Sequence, residues 1–259
     1  MAISLKTAEQ IEQMRRAGRI VRRVLDRIGE MIGPGVSTMR LNEEAEKMTR
    51  RQNAECLFKG VPGRGKAGPF PAAICASINE ELVHGIPSGR EIREGDLVSV
   101  DFGVRLNGWC GDAAETYVVG EVDGKVNRLV DVTRNALAMA VRMCRPNERW
   151  SHIARAMQNY VEGEGFSVVR EFVGHGIGAE MWEDPKVPNF VSRELEARDI
   201  HLEPGLVLAV EPMVNMGAAD VEYAPDGWTV VTKDRLPSAH FEHMVAITTE
   251  GAEVLTDGR

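Results

Sequence analysis

Apolar side chains recur at helical spacing in two pairs of segments, one pair in each half of the chain. The first pair starts at Thr7-Ala8-Glu9-Gln10, which fits a capping box, and is interrupted at Gly33-Pro34-Gly35. The second pair is interrupted at Pro146-Asn147. The apolar stripes of the four predicted helices are Ile11, Met14, Ala17, Val21, Val24, Leu25 and Ile28; Leu41, Ala45 and Met48; Leu129, Val132, Ala136, Ala140 and Met143; and Ile153, Met157, Tyr160 and Val161.

The two helix pairs indicate an internal duplication. The interval from the helix-breaking proline to a core aliphatic residue is the same in both, from Pro34 to Leu41 and from Pro146 to Ile153. Segments rich in β-forming residues follow each pair, so the repeated unit is helix–helix–sheet. Helices followed by hairpin-like strands predict an α+β fold with antiparallel sheets. We expect one domain over residues 1–259, with halves of about 1–122 and 123–259 packed around a cleft.

Composition, charge and cysteine spacing disfavour several classes of function. The apolar share of 43% and the charged share of 27% are ordinary for a globular protein, and the net charge of −8 argues against binding DNA or RNA. No apolar run has the length of a signal peptide or a membrane span, so we expect a cytoplasmic protein that does not bind membranes. The four scattered cysteines disfavour a zinc ribbon or a disulfide scaffold. Residues 61–73 lack a phosphate-loop pattern and are predicted to be a flexible loop.

The stretch VDFGVRLNGWCGD, residues 100–112, predicts a β-hairpin with Asn107-Gly108 as its two-residue turn. In that register Asp101 lies opposite Ala114 and Gly103 opposite Asp112, so both acids share one face, roughly 7–8 Å apart. Val98, Val100, Phe102 and Val104 form the opposite, core face. Two ionised carboxylates so close repel, so either one is protonated or a cation lies between them. The alternative is two solvated acids on an exposed sheet face.

Three other segments place potential metal ligands beside apolar strands. His175 lies between glycines after a short β-like run, Glu211 ends the strand GLVLAV, and Glu242 is predicted inside the strand SAHFEHMVAIT. An unpaired charge at such a position would be costly. Four carboxylates and one neutral imidazole suit divalent cations and suffice for a pair of metals. His240 shares its strand face with Glu242, which leaves a role beside the site open.

In combination, four motifs resemble the type I methionine aminopeptidases of bacteria. They are ISLKTAEQIEQMRRAGRI, GFSVVREFVGHGIG, EPMVN and DGWTVVTKDRLPSAHFEH, and the likeness runs over essentially the whole chain. The resemblance implies the pita-bread fold, with two pseudo-symmetric helix–helix–antiparallel sheet halves around a central metal cleft. It also implies a peptidase that removes N-terminal methionine from nascent chains and prefers small second residues.

The resemblance further implies roles for individual residues. Five residues match the ligands of two divalent metal ions, which could be Co, Mn, Fe, Zn or Ni: Asp101, Asp112, His175, Glu211 and Glu242. Glu211 also matches the general base, and His84 matches the histidine that contacts the substrate and stabilises the oxyanion. Phe70, Cys75, Trp228 and, with them, Met181 are expected to wall the methionine pocket.

One position departs from the family pattern. The family places a second substrate-contacting histidine seven residues after the glycine-flanked one, and Trp182 stands there in this chain. The alternative function is therefore a non-catalytic or altered-specificity peptide-binding member of the same fold. The related proline-specific peptidases are disfavoured, because the chain has no additional N-terminal domain.

The expected partners are nascent polypeptide N-termini, acted on by a monomer. Docking on the ribosome stays open, but not through residues 216–227, which we expect to form a loop and which carry Asp220, Glu222 and Asp226 and no Lys or Arg. A segment of this charge does not favour contact with ribosomal RNA.

Overall fold

The computed structural model describes residues 3–258. The helices are α1 (Ala8–Met31), α2 (Thr38–Arg51), α3 (Gly124–Met143), α4 (Trp150–Gly163) and α5 (Arg193–Ala197). The strands are β1 (Glu55–Cys56), β2 (Ile74–Ile78), β3 (Glu81–Val83), β4 (Leu97–Leu106), β5 (Trp109–Val118), β6 (Ser167–Val168), β7 (Gly174–Gly176), β8 (Glu183–Val187), β9 (Val207–Val210), β10 (Met213–Asn215), β11 (Val221–Tyr223), β12 (Val230–Thr232), β13 (Ser238–His240), β14 (His243–Thr248) and β15 (Gly251–Val254). No helix in the described part of the chain is long and apolar enough to cross a membrane.

The four long helices form where the apolar stripes predict them. At the start of α1 the Thr7 hydroxyl accepts from the Gln10 backbone N–H, and the Gln10 side chain accepts from the Thr7 N–H, which confirms the capping box. The helix ends at Met31, before the predicted break, where Gly35 adopts a φ of +85°. The short helix α5 was not predicted, because five residues are too few to show a helical period.

Matching hydrogen bonds relate the two halves. In the first half the Gly35 N–H donates to the Ile92 carbonyl, and the Ile92 N–H donates to Val36. In the second half the Asn147 N–H donates to the Leu202 carbonyl, and the Leu202 N–H donates to Glu148. Each connection joins the bend between two helices to the segment before a strand that is central in its sheet, β4 in one half and β9 in the other. The predicted α+β fold with two related halves is confirmed, while the boundary between residues 122 and 123 stays a prediction.

Four antiparallel sheets are found in the described chain. In the first sheet β4 pairs with β1, β2 and β5. In the second β10 pairs with β13 and β6, in the third β12 pairs with β11 and β3, and the five-stranded sheet has the order β15-β14-β9-β7-β8. Because β3 belongs to the first half and β12 to the second, one sheet joins the halves. Helices α1 and α2 cover the core face of β4, and α3 and α4 cover that of β9 and β14.

The β4–β5 hairpin has the predicted register. Asn107 and Gly108 form the turn with φ of +50° and +83°, the left-handed values that a type I′ turn requires. Asp101 pairs with Ala114 and Gly103 with Asp112. The four residues predicted for the core face, Val98, Val100, Phe102 and Val104, are fully buried. A two-residue turn leaves no freedom of register, so the acids share the face away from that core.

Two local predictions were wrong. Glu242 lies between β13 and β14, not within a strand, because its N–H leaves the ladder and donates to Ala114 of β5 in the other half. Residues 216–227 are not all loop, since β11 pairs along β12 within them. Neighbouring segments also bring basic groups to this region: Arg235 forms an ion pair with Glu222, and Arg64 donates to the Tyr223 hydroxyl.

Candidate active site

All the residues predicted for the site line one cavity of about 470 Å³ between the halves. They are Phe70, Cys75, His84, Asp101, Asp112, His175, Met181, Trp182, Glu211, Trp228 and Glu242. Polar groups gather on one side of this cavity and apolar side chains on the other. The polar side is the floor, made by Asp101, Asp112, His175, Glu211 and Glu242.

Strands β4 and β5 carry the first two floor residues. Asp112 is 2% exposed, and the facing Gly103 leaves it room: a Cβ at Gly103 would lie 3.3 Å from Asp112 Oδ1. Neither Oδ1 of Asp101 nor that of Asp112 has a hydrogen-bond partner among the described residues. Buried carboxylate oxygens without donors are rare in folded proteins, so these atoms point to a ligand.

The second half supplies the other three floor residues. His175 lies on β7 and its Nδ1 is 2.9 Å from the Gly176 carbonyl, which makes Nδ1 the donor and turns the Nε2 lone pair to the floor. Its Nε2 lies 3.9 Å from Asp112 Oδ2 and 3.6 Å from Glu211 Oε1. Donor atoms of Asp112, His175 and Glu242 all lie within 4.8 Å of one another. Glu242 Oε1 is also buried without a partner among the described residues.

The floor is electrostatically unfavourable without a cation. Burial raises the pKa of Asp101 to about 7. Burial, and then repulsion from neighbouring carboxylates, raises the pKa of Asp112, of Glu211 and of Glu242. Burial lowers the pKa of His175, which keeps its imidazole neutral. Oxygen donors with one neutral imidazole are the ligands that divalent ions such as Mn²⁺, Fe²⁺, Co²⁺ and Zn²⁺ accept, so the residues present fit a metal.

Two further histidines border the floor. His84 has a φ of +59° and packs edge-on against Phe172 and Trp228, with ring centroids 5.4 and 6.5 Å apart. Burial, with a contribution from Arg64, lowers the pKa of His84 to about 4, so its ring is neutral at pH 7. A neutral imidazole keeps one N–H to donate toward a substrate oxygen.

His240 is the second of these histidines. It is 2% exposed, and its Nε2 has no partner among the described residues and lies 3.8 Å from Glu211 Oε2. Thr116 of β5 holds its backbone, since the hydroxyl donates to the His240 carbonyl and accepts from its N–H. The sequence pattern placed His240 on the face of Glu242, and the structure places its ring in the cavity lining beside Glu211.

The apolar side of the cavity contains the predicted methionine-pocket residues. Phe70 and Trp228 meet edge to face at 5.0 Å, and Trp228 Nε1 donates to the Gly68 carbonyl at 2.9 Å. Cys75 and Met181 are buried in the same apolar cluster. These side chains offer ring and sulfur surface and little polarity, which suits an unbranched apolar ligand.

Comparison with known proteins identifies the family. The model of metallopeptidase family M24 matches residues 12–249. The chain belongs to this family. It is 45% identical to methionine aminopeptidase 1 of Bacillus subtilis over 98% of this chain and 99% of that one, and 41% identical to methionine aminopeptidase of Escherichia coli over 99% and 94%. The crystal structure of methionine aminopeptidase from Thermotoga maritima, 40% identical, superposes with a TM-score of 0.92 over 98% of this chain and 99% of that one.

More distant structures share the fold alone. The Xaa-Pro dipeptidase of Bacillus anthracis is 24% identical, with a TM-score of 0.75 over 98% of this chain and 62% of that one. Membership of a metallopeptidase family, with the cluster of Asp112, His175 and Glu242, establishes that this M24 peptidase uses a divalent metal.

The lining of the M24 peptidase cavity includes residues that the sequence did not indicate, and its rim is formed in part by Trp182. Trp182 lies there with 54% of its surface exposed, beside Glu183 and Lys186. Phe58 and Phe172 also line the cavity and were not predicted. Phe172, three residues before His175, could have been found from that glycine-flanked motif. Phe58 follows a two-residue strand, which shows no period to read.

Proposed function

We propose that this M24 peptidase removes the N-terminal methionine from nascent proteins and peptides by metal-dependent hydrolysis, with a preference for small second residues. The observation that carries the proposal is that one cavity joins a floor of buried and half-buried carboxylates and an imidazole to an apolar pocket of Phe70, Cys75, Met181 and Trp228. The floor suits hydrolysis, and the pocket suits a thioether side chain.

The proposed ligands of two divalent ions are Asp101, Asp112, His175, Glu211 and Glu242. Partnerless oxygens on Asp101, Asp112 and Glu242, and the lone pair that His175 Nε2 turns to the floor, support this assignment. When bound, the ions lower the pKa of a water molecule, so that hydroxide is available near neutral pH, and they polarise the scissile carbonyl.

The chain's own residues then handle protons and orientation. Glu211 is the proposed general base: its carboxylate lies at the floor, within 3.6 Å of His175 and 3.8 Å of His240, where it can hold the proton taken from water. His84, neutral at pH 7, is the proposed donor to the carbonyl oxygen as negative charge develops on it. Phe172 and Trp228 hold the His84 ring edge-on and limit its rotation.

Selectivity for methionine follows from the pocket wall. A misfit of one methylene in an apolar pocket changes transition-state binding by only about 1–3 kcal/mol, so we expect finite discrimination against leucine. A charged side chain would lose its hydration against Phe70 and Cys75 without gaining a partner, so lysine and glutamate should be rejected strongly.

The test is hydrolysis of Met-Ala-Ser by the metal-loaded protein, compared with Leu-, Lys- and Glu-Ala-Ser. We expect fast cleavage of the methionine peptide, slower cleavage of the leucine peptide, and loss of activity after chelation. Equal rates on all four peptides, or full activity of the metal-free protein, would contradict the proposal. The binding-only alternative gains no support, because all five predicted ligands line the cavity.

Expectations about access to substrate stay predictions. Residues 216–227 remain acidic, with Glu222 paired to Arg235, so we do not expect ribosome docking through them. A cytoplasmic location and a monomeric state are likewise predictions. Salt-sensitive ribosome binding that disappears on replacing residues 216–227 would contradict the first of them.

A further inference from the structure

A buried ion pair joins the N-terminal segment to the rim of the cavity. The Lys6 ammonium lies 2.6 Å from Glu183 Oε2 and donates to the Ser4 carbonyl at 2.8 Å. Its side chain is 3% exposed. Lysine is rarely buried to this degree unless it is paired, so the contact belongs to the fold and is not a chance surface pair.

Two glycines make room for this lysine. A Cβ at Gly178 would lie 2.6 Å from the Lys6 Cε and 2.4 Å from Glu183 Oε1. A Cβ at Gly205 would lie 2.7 Å from the Lys6 carbonyl oxygen, and the Lys6 N–H donates to the Gly205 carbonyl at 2.7 Å. The backbone at Gly205 therefore approaches that of Lys6 more closely than a residue with a Cβ allows, and a Cβ at Gly178 would displace the ends of the Lys6 and Glu183 side chains.

Glu183 in turn holds the bend formed by residues 178–182. Its second oxygen, Oε1, accepts from the Glu180 backbone N–H at 3.2 Å. The same bend carries Met181, whose Cε would lie 3.2 Å from a Cβ on Gly103, and Trp182, so it places two cavity-lining side chains. Arg105 also pairs with Glu180, but this pair is exposed, and exposed pairs contribute little. Cys110 of β5 holds the start of the bend, since its N–H donates to the Gly178 carbonyl at 2.9 Å, so the Lys6–Glu183 pair acts on the part that follows.

We propose that Lys6 is a positioning residue of the active site: through Glu183 it fixes the 178–182 bend and so sets where Met181 and Trp182 meet the substrate. Without the ammonium, the Glu183 carboxylate has lost its charged partner and turns toward water in the cavity, which releases the Glu180 N–H. The inference rests on the proposed function for its kinetic consequence, but the link from Lys6 to the bend does not depend on it.

The test uses full-length, metal-loaded Lys6→Met, which keeps an unbranched side chain one atom shorter than lysine and removes its charge. Lys125→Met, at an exposed position in the first turn of α3, is the matched control. Met181 and Trp182 line the cavity and on this proposal contact substrate and transition state alike, so KM for Met-Ala-Ser should rise and kcat should change less than about twofold. We expect a rise of about tenfold, below the roughly 10²-fold that a 1 Å misplacement of reacting groups can cost.

Hydrogen exchange supplies a readout that does not depend on activity. In Lys6→Met the Glu180 amide should exchange faster, while amides of β4 and β5 keep their rates. Glu183→Gln should act in the same direction, and the double variant should be no worse than the stronger single variant, because the two residues form one link. Unchanged exchange at Glu180, or a lower melting temperature with unchanged KM, would overturn the proposal. A wild-type protein that does not cleave Met-Ala-Ser would overturn the proposed function, while the exchange result would still decide the role of Lys6.

Discussion

The floor and the rim of the cavity are built in different ways. The floor acids Asp101 and Asp112 lie on long paired strands, where backbone hydrogen bonds and a two-residue turn set their positions. The rim is the 178–182 bend with Trp182, which is 54% exposed. The bend is held by a backbone hydrogen bond from the Cys110 N–H to the Gly178 carbonyl and by side-chain contacts such as that of Lys6 with Glu183. A ladder of hydrogen bonds fixes geometry more tightly than a few side-chain contacts can.

Because of this difference, we expect substitutions in the floor and substitutions in the rim to affect activity in different ways. Changes in the floor alter charge in a buried place, where each unpaired group is costly, and so decide whether the enzyme works at all. Changes in the rim alter shape and hydrogen bonding at a half-exposed surface, and so adjust rate and selectivity. The following predictions test that division.

The largest effect is expected for Asp112→Asn. Removing a residue that only hydrogen-bonds a metal ligand costs roughly 10–100-fold in activity or metal affinity. Loss of the charge of a ligand itself should lower kcat/KM by more than this, and should reduce the amount of metal bound. Elemental analysis and peptide hydrolysis measure both. The metal-free variant should melt at a higher temperature than the metal-free wild type, because a carboxylate with a raised pKa is removed. Asp131→Asn, an exposed acid on α3, is the control. Full metal content in Asp112→Asn would show that Asp112 is not a ligand.

His84→Asn should have the next largest effect. Asparagine tolerates the left-handed backbone at this position, so the change removes the imidazole without adding strain. If His84 donates to the developing oxyanion, kcat should fall by about 10²–10³-fold with metal content unchanged. His152→Ala, which alters an exposed histidine paired with Glu148, controls for removal of a histidine far from the cavity. A fall in KM alone would argue against this role.

Trp182→His tests the rim. An imidazole can donate to the scissile peptide and titrate, whereas the indole can only donate through Nε1. Restoring one transition-state donor should raise kcat by up to roughly 10²-fold, with a smaller change in KM. Trp182→Phe, which keeps an apolar ring and adds no donor, should not raise kcat. If Trp182→His lowers kcat, the tryptophan is a positive adaptation to a different peptide.

The last prediction concerns stability, not rate, and applies to the metal-free protein above pH 6.5. The folded-state pKa of Asp101 is raised to about 7, so its protonation stabilises the fold and that contribution is lost as pH rises through 7; the other three floor carboxylates act in the same direction. His84 and His240 have folded pKa values of about 4 and about 3, so they oppose this trend only below pH 6.5.

Urea unfolding at pH 6.5 and 8.0 should therefore show a falling free energy of unfolding, by about 1.4 kcal/mol per pH unit for each proton that differs. Saturating Mn²⁺ should remove most of this dependence, because the cation replaces the protons. A metal-free protein that is equally stable at both pH values would mean that the floor carboxylates are not held close together.

Much of the floor could be predicted from local sequence. The Asn107-Gly108 turn set the register, and period-2 alternation put Asp101 and Asp112 on one face. The position of Glu242 was predicted less well, because its N–H bonds Ala114 of the opposite half, and no local pattern reports a contact between segments so far apart. Phe58 was missed for a different reason, because the two-residue strand before it shows no period.

The sequence by itself determined the four long helices, the hairpin and the residue types of the candidate metal site, because capping, turn chemistry and side-chain period act within a few residues. Only the tertiary structure decided that His240 lies beside Glu211 and that Lys6 reaches Glu183 across the chain. Contacts of this kind depend on how two halves pack and on where glycines such as Gly178 let backbones approach, and packing of distant segments is a property of the whole fold.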